Sequence, residues 1–495
     1  MSGNPALQVR RVGPALTPDS SRVLLRPFSH GGEDRTRQVI ERALSIPEET
    51  AARLVVELTA DFGPRHHRLA ERFLERFDTV AAGSAELRAD PSLTRSRRLL
   101  IGAYFLAEYS LESTALFNPS IVPHPCQAGL PPGQMRIVLS LRATGEGHIS
   151  SMTFRTGVIG GADEVDIMPP AGFLTEPDQV PNPRYETALF ARTLLEVGVR
   201  GDFAAEVTSR LGECFGLDEL RACIGAVERS RSESSGMLEE DREAAKGMWL
   251  LARSNHDAQF EDGQCLSQRV LFPATASQRN GIEDARFVRF RNADGSHVYF
   301  ATFTAYDGRV VVPELVETPD FLRFRFSTLN GPAARNKGMA LFPRKIGGRY
   351  AMLTRQDGES LYLTLSSNVR FWNESTPLLR PEFPWEAVQI GNCGSPMETE
   401  AGWLVLSHGV GPLRNYCIGA FLLDLEDPSR VIGRLTEPLI APSPGEREGY
   451  VPNVVYTCGG MVHDGMLLIP YGLADRSTVF ATIPVEEVLA AMRVQ

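Results

Sequence analysis

The sequence has no long apolar run and no concentration of positive charge. No stretch approaches the roughly 20 apolar residues that a membrane span needs, and the first residues, MSGNPALQVRR, lack the apolar core of a signal peptide. Lys and Arg number 51 against 61 Asp and Glu, for a net charge of −10, which argues against a non-specific nucleic-acid surface. These absences predict a cytoplasmic protein with neither nucleic acid nor a membrane as partner.

Cysteine is sparse and is not arranged as a metal site. The 7 cysteines are scattered, and none stands in a C-x-x-C pair. That spacing is typical of neither a zinc site nor a disulfide framework, and it indicates a reducing compartment. The signatures G-x-G-x-x-G, P-loop, G-x-S-x-G and H-E-x-x-H are also missing. We therefore expect no metal and no organic cofactor.

Helical periodicity is concentrated in two parts of the chain. Apolar residues recur at helical spacing in 47–60, 64–80 and 91–109, with Asp90 as the candidate N-cap of the third segment. A second helical block follows strand-like sequence, and its predicted helices are Tyr185–Glu196, Asp202–Phe215, Asp218–Arg229 and Glu239–Leu251. The two blocks are predicted to be a helical N-terminal region and a helical insertion.

Short strand-like segments separated by turn signals occupy most of the remaining sequence. Turn signals such as Asn292-Ala-Asp-Gly295 and Asp357-Gly358 divide them. The segments form five groups: 116–160, 253–306, 310–367, 385–425 and 450–484. Antiparallel units without helices between them indicate a sandwich or a propeller, and five groups favour a small propeller.

The predicted fold is therefore mainly β with helical additions. It consists of a five-bladed β-propeller, an α-helical N-terminal region and a helical insertion. The expected boundaries are 1–112 for the N-terminal region, 113–183 for the first blade, 184–252 for the insertion and 253–495 for the remaining blades. Large helical additions need a surface on which to bury their apolar stripes, so these segments are candidates for self-association into a homo-oligomer.

One acidic motif and several basic residues are the candidates for catalysis and anion binding. Glu283 and Asp284 stand in the motif GIEDAR, and Lys337, Arg355 and His408 follow within apolar surroundings. A carboxylic acid can deliver a proton to a leaving oxygen, and converging cations can hold an anion. Phosphorolysis of a glycoside requires both. Read without further context, Asp284 could equally close a turn, and the two cations could be solvated or salt-bridged at the surface.

The motifs resemble those of glycoside hydrolase family 130, which comprises β-mannoside phosphorylases and related mannosidases. The resemblance covers Phe117 to about Leu489 outside the helical insertion. The motifs that carry it are FNPS (117–120), LSLR (139–142), GIEDAR (281–286), TFTAYDG (302–308), NKGMALFP (336–343), GWLVLSHGV (402–410), IGAFLLDLEDP (418–428), VPNVVY (451–456) and PYGLAD (470–475). The resemblance implies a five-bladed propeller with a central substrate pocket.

The resemblance also implies roles for individual residues. Asp284 is expected to be the general acid, with its pKa raised by burial or by the neighbouring Glu283. The residues expected to hold inorganic phosphate, the co-substrate, are Lys337, Arg355, His408 and Tyr416. The residues expected to contact a β-mannoside oligosaccharide are Asn118, Arg142, Asn255, Glu283, Arg286, Tyr306 and Asp307. The expected reaction is inverting phosphorolysis that yields mannose 1-phosphate.

Three other interpretations of the sequence stay open. An inverting β-mannoside hydrolase would need a second carboxylate to activate water, for which the candidates are Glu374, Glu386 and Glu398. Cys393 with His408 could form a nucleophile–base pair, although a small Cys in a Gly-rich turn is usually packing. A propeller without catalytic activity could also serve as a binding module, which would show an exposed apolar patch and a solvent-exposed Asp284.

Overall fold

A computed structural model describes residues 7–494 apart from 85–86, 88–89, 91, 162–163, 181–183, 197–198, 235–237, 307 and 309–310. The described part is mainly β with several helices. None of its helices combines the length and the apolar character that crossing a membrane requires. No set of three or more His, Cys, Asp or Glu side chains among these residues is grouped as a metal site.

Most helices lie in the two blocks that the periodicity indicates. In the N-terminal region they are α1 (Glu33–Ser45), α2 (Glu48–Phe62), α3 (Leu69–Gly83) and α4 (Arg95–Tyr104). In the insertion they are α5 (Thr187–Glu196), α6 (Asp202–Ser209), α7 (Leu217–Ser234) and α8 (Glu239–Ser254), and α9 (Val485–Ala490) follows near the C-terminus. The N-cap of α4 is Thr94, whose hydroxyl accepts a hydrogen bond from the Arg97 amide, so the assignment of Asp90 was wrong. Asp90 instead accepts from Ser92.

The strands run from near one end of the chain to the other. Before the insertion they are β1 (Arg10–Leu16), β2 (Asp19–Pro27), β3 (Leu106–Glu112), β4 (Ala115–Pro123), β5 (Met135–Thr144), β6 (Ser150–Ile159), β7 (Val165–Ile167) and β8 (Asp178–Val180). Within and after it they are β9 (Tyr185–Glu186), β10 (Cys214–Phe215), β11 (His256–Gln259), β12 (Val270–Leu271), β13 (Gly281–Arg291), β14 (His297–Tyr306), β15 (Val311–Thr318) and β16 (Arg323–Thr328).

The C-terminal part adds fourteen strands to those of the first half. They are β17 (Ala340–Leu341), β18 (Tyr350–Thr354), β19 (Leu361–Ser366), β20 (Ser375–Leu379), β21 (Gln389–Asn392), β22 (Met397–Thr399), β23 (Gly402–Val410), β24 (Tyr416–Leu423), β25 (Val431–Arg434), β26 (Val455–Tyr456), β27 (Met461–His463), β28 (Met466–Leu473), β29 (Ser477–Pro484) and β30 (Arg493–Val494). Antiparallel pairings join β13 with β14, β18 with β19, β23 with β24 and β26 with β28.

The main strands form five antiparallel groups. These are β4–β7 with β12; β13–β16 with β11 and β8; β17–β20; β21–β25 with β30; and β26–β29 with β1. The first two groups are joined through one parallel pairing, Gly281 with Ser150. Gly281 has φ +138°, and an added Cβ would stand 3.0 Å from Ser150, so the close approach of these strands depends on glycine.

The N-terminal region is not wholly helical, which corrects the prediction for 1–112. β1 pairs with β29 near the other end of the chain, and β2 pairs with β3. The predicted helix 91–109 ends at Tyr104, and its last predicted residues belong to β3. Helical periodicity describes only neighbours in sequence, whereas a strand is stabilised by partners that can lie hundreds of residues away.

Glu314 on β15 is a buried carboxyl that fixes the segment leading into β13. Its two oxygens accept hydrogen bonds from Ser277 Oγ and Gln278 Nε2, each at 2.7 Å. Gln278 Oε1 in turn accepts from the Ala274 amide at 3.0 Å. Burial raises the pKa of Glu314 to about 7, and the two hydrogen bonds only partly offset that rise.

Replacing Glu314 with Gln is expected to remove a pH-dependent loss of stability. Because the folded-state pKa of Glu314 is raised, the folded protein holds this proton where the unfolded chain has lost it. Stability therefore falls as pH rises from about 4.5 to about 7, by about 3 kcal/mol. Denaturant unfolding at pH 5 and pH 8 should show a smaller loss in Glu314→Gln, whereas Glu317→Gln on the same strand keeps the wild-type loss. Equal losses in both variants would contradict this assignment.

Candidate active site

Irregular backbone in two strands places the central side chains of the site. In β13 the register shifts between Glu283 and Arg286, so that the chain bulges at Asp284, which has φ +55°. In β4 a similar shift lies between Phe117 and Ser120, and Asn118 there has φ +48°. Bulges redirect side chains and concentrate at functional sites, and a non-glycine residue at positive φ is strained. The two bulges bring Asn118 and Asp284 into direct contact.

Asp284 and Glu283 are held by a set of donors from other strands. Asn118 Nδ2 donates to Asp284 Oδ1 at 2.8 Å, and Arg142 bridges both carboxylates, at 3.2 Å to Asp284 and 2.9 Å to Glu283. Lys337 Nζ donates to Glu283 Oε2 at 2.6 Å. The Arg142 guanidinium also lies over the Phe117 ring. Five of the predicted residues are thus in one contiguous network.

Arg286 and Tyr456 connect this network to the basic side of the site. Arg286 is only 3% exposed. It donates to the Asp284 carbonyl at 3.0 Å and to the Tyr456 hydroxyl at 2.6 Å. The Tyr456 ring meets the His408 ring edge to face, with the ring centres 5.0 Å apart. Asp284 and His408, 124 residues apart in the sequence, therefore belong to one site.

Arg355, His408 and Tyr416 form the basic side. Arg355 NH1 donates to His408 Nε2 at 3.1 Å, and His408 Nδ1 donates to the Asn392 carbonyl at 3.1 Å. Burial, together with the charges of Arg355 and Arg286, lowers the pKa of His408 well below its ordinary value, so this ring is neutral. Tyr416 stacks on it at 6.0 Å. The neutral His408 ring accepts a hydrogen bond from Arg355 and thereby orients its guanidinium.

The electrostatics of Asp284 differ from the expectation. Burial favours the neutral acid, but Arg142, Arg286 and the Asn118 hydrogen bond outweigh it and hold the pKa of Asp284 below its ordinary value. The sequence predicted the opposite direction, because it did not show how many cations would surround this carboxyl. Without an added anion the carboxylate form is favoured.

Asp475 is a further carboxyl whose charge interacts with that of Asp284. It lies in the PYGLAD segment with φ +49°. Burial and the charge of Asp284 raise the pKa of Asp475 to about 6, against the opposing effects of Arg142 and Arg414. Two carboxyls whose environments move their pKa values apart are typical of sites that transfer protons.

Some predicted residues do not contact this network. Asn255 accepts a hydrogen bond from the Thr328 amide at 2.9 Å and lines a different cleft. The Tyr306 hydroxyl donates to the Gly308 carbonyl at 3.0 Å. Asp307 lies outside the described residues.

The alternative catalytic residues have other environments. Glu386 is buried against Arg434 and accepts from two backbone amides, and Glu398 pairs with Arg344 at the surface. Glu374 is exposed. Cys393 Sγ lies 3.8 Å from His408 Nδ1, but burial raises the pKa of this thiol to about 12, so that a thiolate is strongly disfavoured.

Several residues of the site were not predicted. They are Ser150, Gln389, Asn392, Tyr456 and Asp475. Tyr456 and Asp475 end two of the motifs that carry the family resemblance, VPNVVY and PYGLAD, and their position in those motifs was the available signal. Ser150, Gln389 and Asn392 stand in no such motif.

Comparison with known proteins agrees with the motifs. The family profile described as β-1,4-mannooligosaccharide phosphorylase, glycoside hydrolase family 130, matches residues 257–494. A 1,2-β-oligomannan phosphorylase from Thermoanaerobacter sp. is 34% identical over 231 residues, covering 45% of this chain and 75% of that protein. A β-1,2-mannobiose phosphorylase from Listeria innocua is 33% identical, covering 46% and 64% respectively.

The chain also aligns with a solved structure. The complex of Listeria innocua β-1,2-mannobiose phosphorylase with β-1,2-mannobiose aligns with a TM-score of 0.46 at 21% identity, over 77% of this chain and 92% of that one. These sequence matches are to carbohydrate-active enzymes that share one family profile. The chain belongs to glycoside hydrolase family 130.

Proposed function

We propose that this protein is an inverting β-mannoside phosphorylase. Inorganic phosphate attacks the anomeric carbon of a terminal β-mannoside, the bond from that carbon to the glycosidic oxygen breaks, and Asp284 supplies the proton that the leaving oxygen needs. The products are α-mannose 1-phosphate and a shortened sugar. The names of the relatives and the geometry of the site both support this proposal.

The observation that carries the proposal is the charge state around Arg355. Among the described residues the Arg355 guanidinium is hydrogen-bonded to His408 and forms no ion pair with a carboxylate, and its buried Nε has no hydrogen-bond partner. Burial, with a contribution from Arg286, lowers the pKa of Arg355 more than Tyr456, Tyr416 and Asp284 raise it, so the charge of Arg355 is only partly compensated. A partly buried cation with no ion-pair partner has a desolvation cost that is not fully offset. A bound phosphate would remove that cost.

Bound phosphate would also change the pKa of Asp284. A phosphate carries about −1.5 to −2 charges near neutral pH, and it would offset Arg286 and Arg355. Because Arg286 is one of the cations that lower the pKa of Asp284, that pKa would rise on phosphate binding. Asp284 would then become protonated mainly when the co-substrate is present. Lys337 would turn from Glu283 towards phosphate, and His408 with Tyr416 would hold Arg355 in place.

The hydrolase alternative has less support. None of Glu374, Glu386 and Glu398 has a contact with Asp284 or its partners among the described residues, and Glu386 and Glu398 are already paired with arginines. Asp475, whose charge interacts with that of Asp284, is a carboxyl that could activate water. A hydrolase would not need a poorly compensated Arg355, so the arrangement favours phosphorolysis. Likewise, a binding module has no need of a strained Asp284 in a network of cations.

We also propose that the five antiparallel groups are the blades of a five-bladed propeller. Support comes from the order of the groups and from the contacts of Asn118, Asp284, Arg355 and His408, which come from four different groups and converge on one site. The proposed boundaries are 1–112, 113–183, 184–252 and 253–495, with β1 from the first segment completing the last blade.

A substrate screen tests the proposed function. β-1,2- and β-1,4-linked mannobiose are incubated with the enzyme, with and without inorganic phosphate, and the products are followed by phosphorus and proton NMR. We expect α-mannose 1-phosphate only when phosphate is present. Free mannose released at the same rate without phosphate would instead identify a hydrolase, and β-mannose 1-phosphate would contradict inversion.

A further inference from the structure

A second cleft opens between the helical insertion and the outer strands of the β13–β16 group. Its volume is about 560 Å³. The polar residues that matter for the argument are Arg184, Glu186 and Asn255 on the insertion side and Arg325, Asn330 and Arg370 on the sheet side. The cleft is separate from the network around Asp284, since its lining shares no residue with that network.

The cleft lies at the same edge of the sheet as the active site. At this edge Gly281 pairs with Tyr306, Tyr306 pairs with Val311, and β16 ends at Thr328. β13 and β16 are three strand spacings apart, which is about 14 Å at about 4.8 Å per spacing. A chain of several sugars that starts at Asp284 could extend to the cleft, whereas a disaccharide would be too short.

The charges that line the cleft are balanced. Arg325 pairs with Asp257 at 3.3 Å, and Arg370 lies 3.7 Å from Glu317. Arg184 and Glu186 add one charge of each sign at the rim. A phosphate or carboxylate ligand would favour uncompensated cations, as at Arg355, but these charges cancel. Such a lining presents donors and acceptors side by side, which suits a neutral ligand with many hydroxyl groups.

The cleft also has an unmet hydrogen-bonding capacity and is not closed by apolar packing. The buried Nε of Arg370 has no partner among the described residues. The buried apolar residues of the insertion cluster with one another over 185–252, and that cluster contains no residue of the sheet. The insertion therefore has its own core, and the cleft between the insertion and the sheet is lined by both polar and apolar residues. Its helix α8 also lies against the turn at 276–278 that leads into β13.

We propose that this cleft binds the distal sugars of an oligomannoside whose terminal residue occupies the active site. The inference rests on the proposed function for the position of the reacting sugar. It assigns a role to the helical insertion, namely discrimination between long and short substrates. Asn255, expected from the sequence to contact substrate, would belong to this distal subsite.

The test compares substrates of two lengths, β-1,2-mannobiose and β-1,2-mannopentaose. In the double variant Arg325→Ala/Arg370→Ala, the ratio of the pentaose KM to the biose KM is expected to rise about tenfold, the effect of losing one or two hydrogen bonds to the sugar. Arg323→Ala is the matched control, because Arg323 is on the same strand but pairs with Asp320. An unchanged ratio in the double variant would overturn the proposal.

Covalent labelling of the cleft provides a second test that does not require replacing the arginines. Cys214 lines the cleft and is exposed. In a Cys126→Ser/Cys265→Ser background, a bulky maleimide on Cys214 should raise the same KM ratio, and additional Cys214→Ser replacement should abolish that effect. An unchanged ratio after complete labelling would also count against the proposal.

Binding without turnover separates this inference from the proposed function. Calorimetry measures mannopentaose binding in the absence of phosphate. Weaker binding to the double variant than to Arg323→Ala supports the cleft even if neither sugar is phosphorolysed, in which case only the proposed function fails. Equal binding to both variants, or no binding to the wild type, rejects the cleft as a saccharide site.

Discussion

Replacing Asp284 with Asn is expected to lower kcat for a natural β-mannoside by about 10²–10⁴-fold, the usual contribution of a general acid. Asn cannot donate the proton that the leaving sugar oxygen requires. It does keep the size of the side chain and can still accept from Asn118. With 4-nitrophenyl β-mannoside the loss should be much smaller, because that leaving group departs without protonation. Steady-state kinetics on both substrates measure the difference.

Two variants make this test specific. Asp294→Asn is the matched control, since Asp294 lies in the exposed turn between β13 and β14 and bonds only to Ser296 among the described residues. It should retain wild-type activity. Asp475→Asn tests the neighbouring carboxyl, whose pKa is raised to about 6. If Asp475→Asn shows the large loss that depends on the leaving group, and Asp284→Asn does not, then Asp475 is the acid.

Replacing Arg355 with Ala is expected to raise the KM for phosphate by about 10–100-fold, because hydrogen bonds to a charged group are worth about 1.5–3 kcal/mol each. Arg355→Lys should recover only part of this loss, since an ammonium cannot bind phosphate in the bidentate manner of a guanidinium. Lys337→Ala should also raise the KM for phosphate. Initial rates at varied phosphate concentration measure both effects.

Thermal unfolding provides an independent readout for Arg355. Phosphate should raise the Tm of the wild type, because a ligand that binds only the folded state stabilises it, and Arg355→Ala should lose most of that rise. Without phosphate the variant should be at least as stable as the wild type, since a poorly compensated, partly buried cation has been removed. Arg349→Ala, at an exposed turn, is the control. A phosphate-induced shift that persists in Arg355→Ala would contradict the anion site.

Much of the strand pattern could be predicted from local sequence. The pairings of β18 with β19 and of β23 with β24 follow from alternating side chains and from turn signals between the strands. Most helices of the two helical blocks followed from their apolar spacing, but α1 (Glu33–Ser45) was not predicted. The first strands could not be predicted in this way. β1 pairs with β29, and the residues next to β1 in the sequence do not indicate that partner.

For the candidate site, too, the local motifs could be predicted from the sequence, whereas the contacts between distant residues could not. The motif GIEDAR identified Asp284, and the basic residues were recognisable from their apolar flanks and from the family resemblance. The contacts between these residues could not be recognised from the sequence. The same holds for the role of Tyr456, which joins Arg286 to the His408 ring.

By itself the sequence determined which residue types are present, their local periodicity and the order of the motifs, and these were enough for the family and the mainly β class. Only the tertiary structure decided the electrostatics. The pKa of Asp284 depends on Arg142 and Arg286, which reach it from a different strand and from beyond a bulge. A pKa is set by charges within a few ångströms in space, and spacing along the chain does not contain those distances.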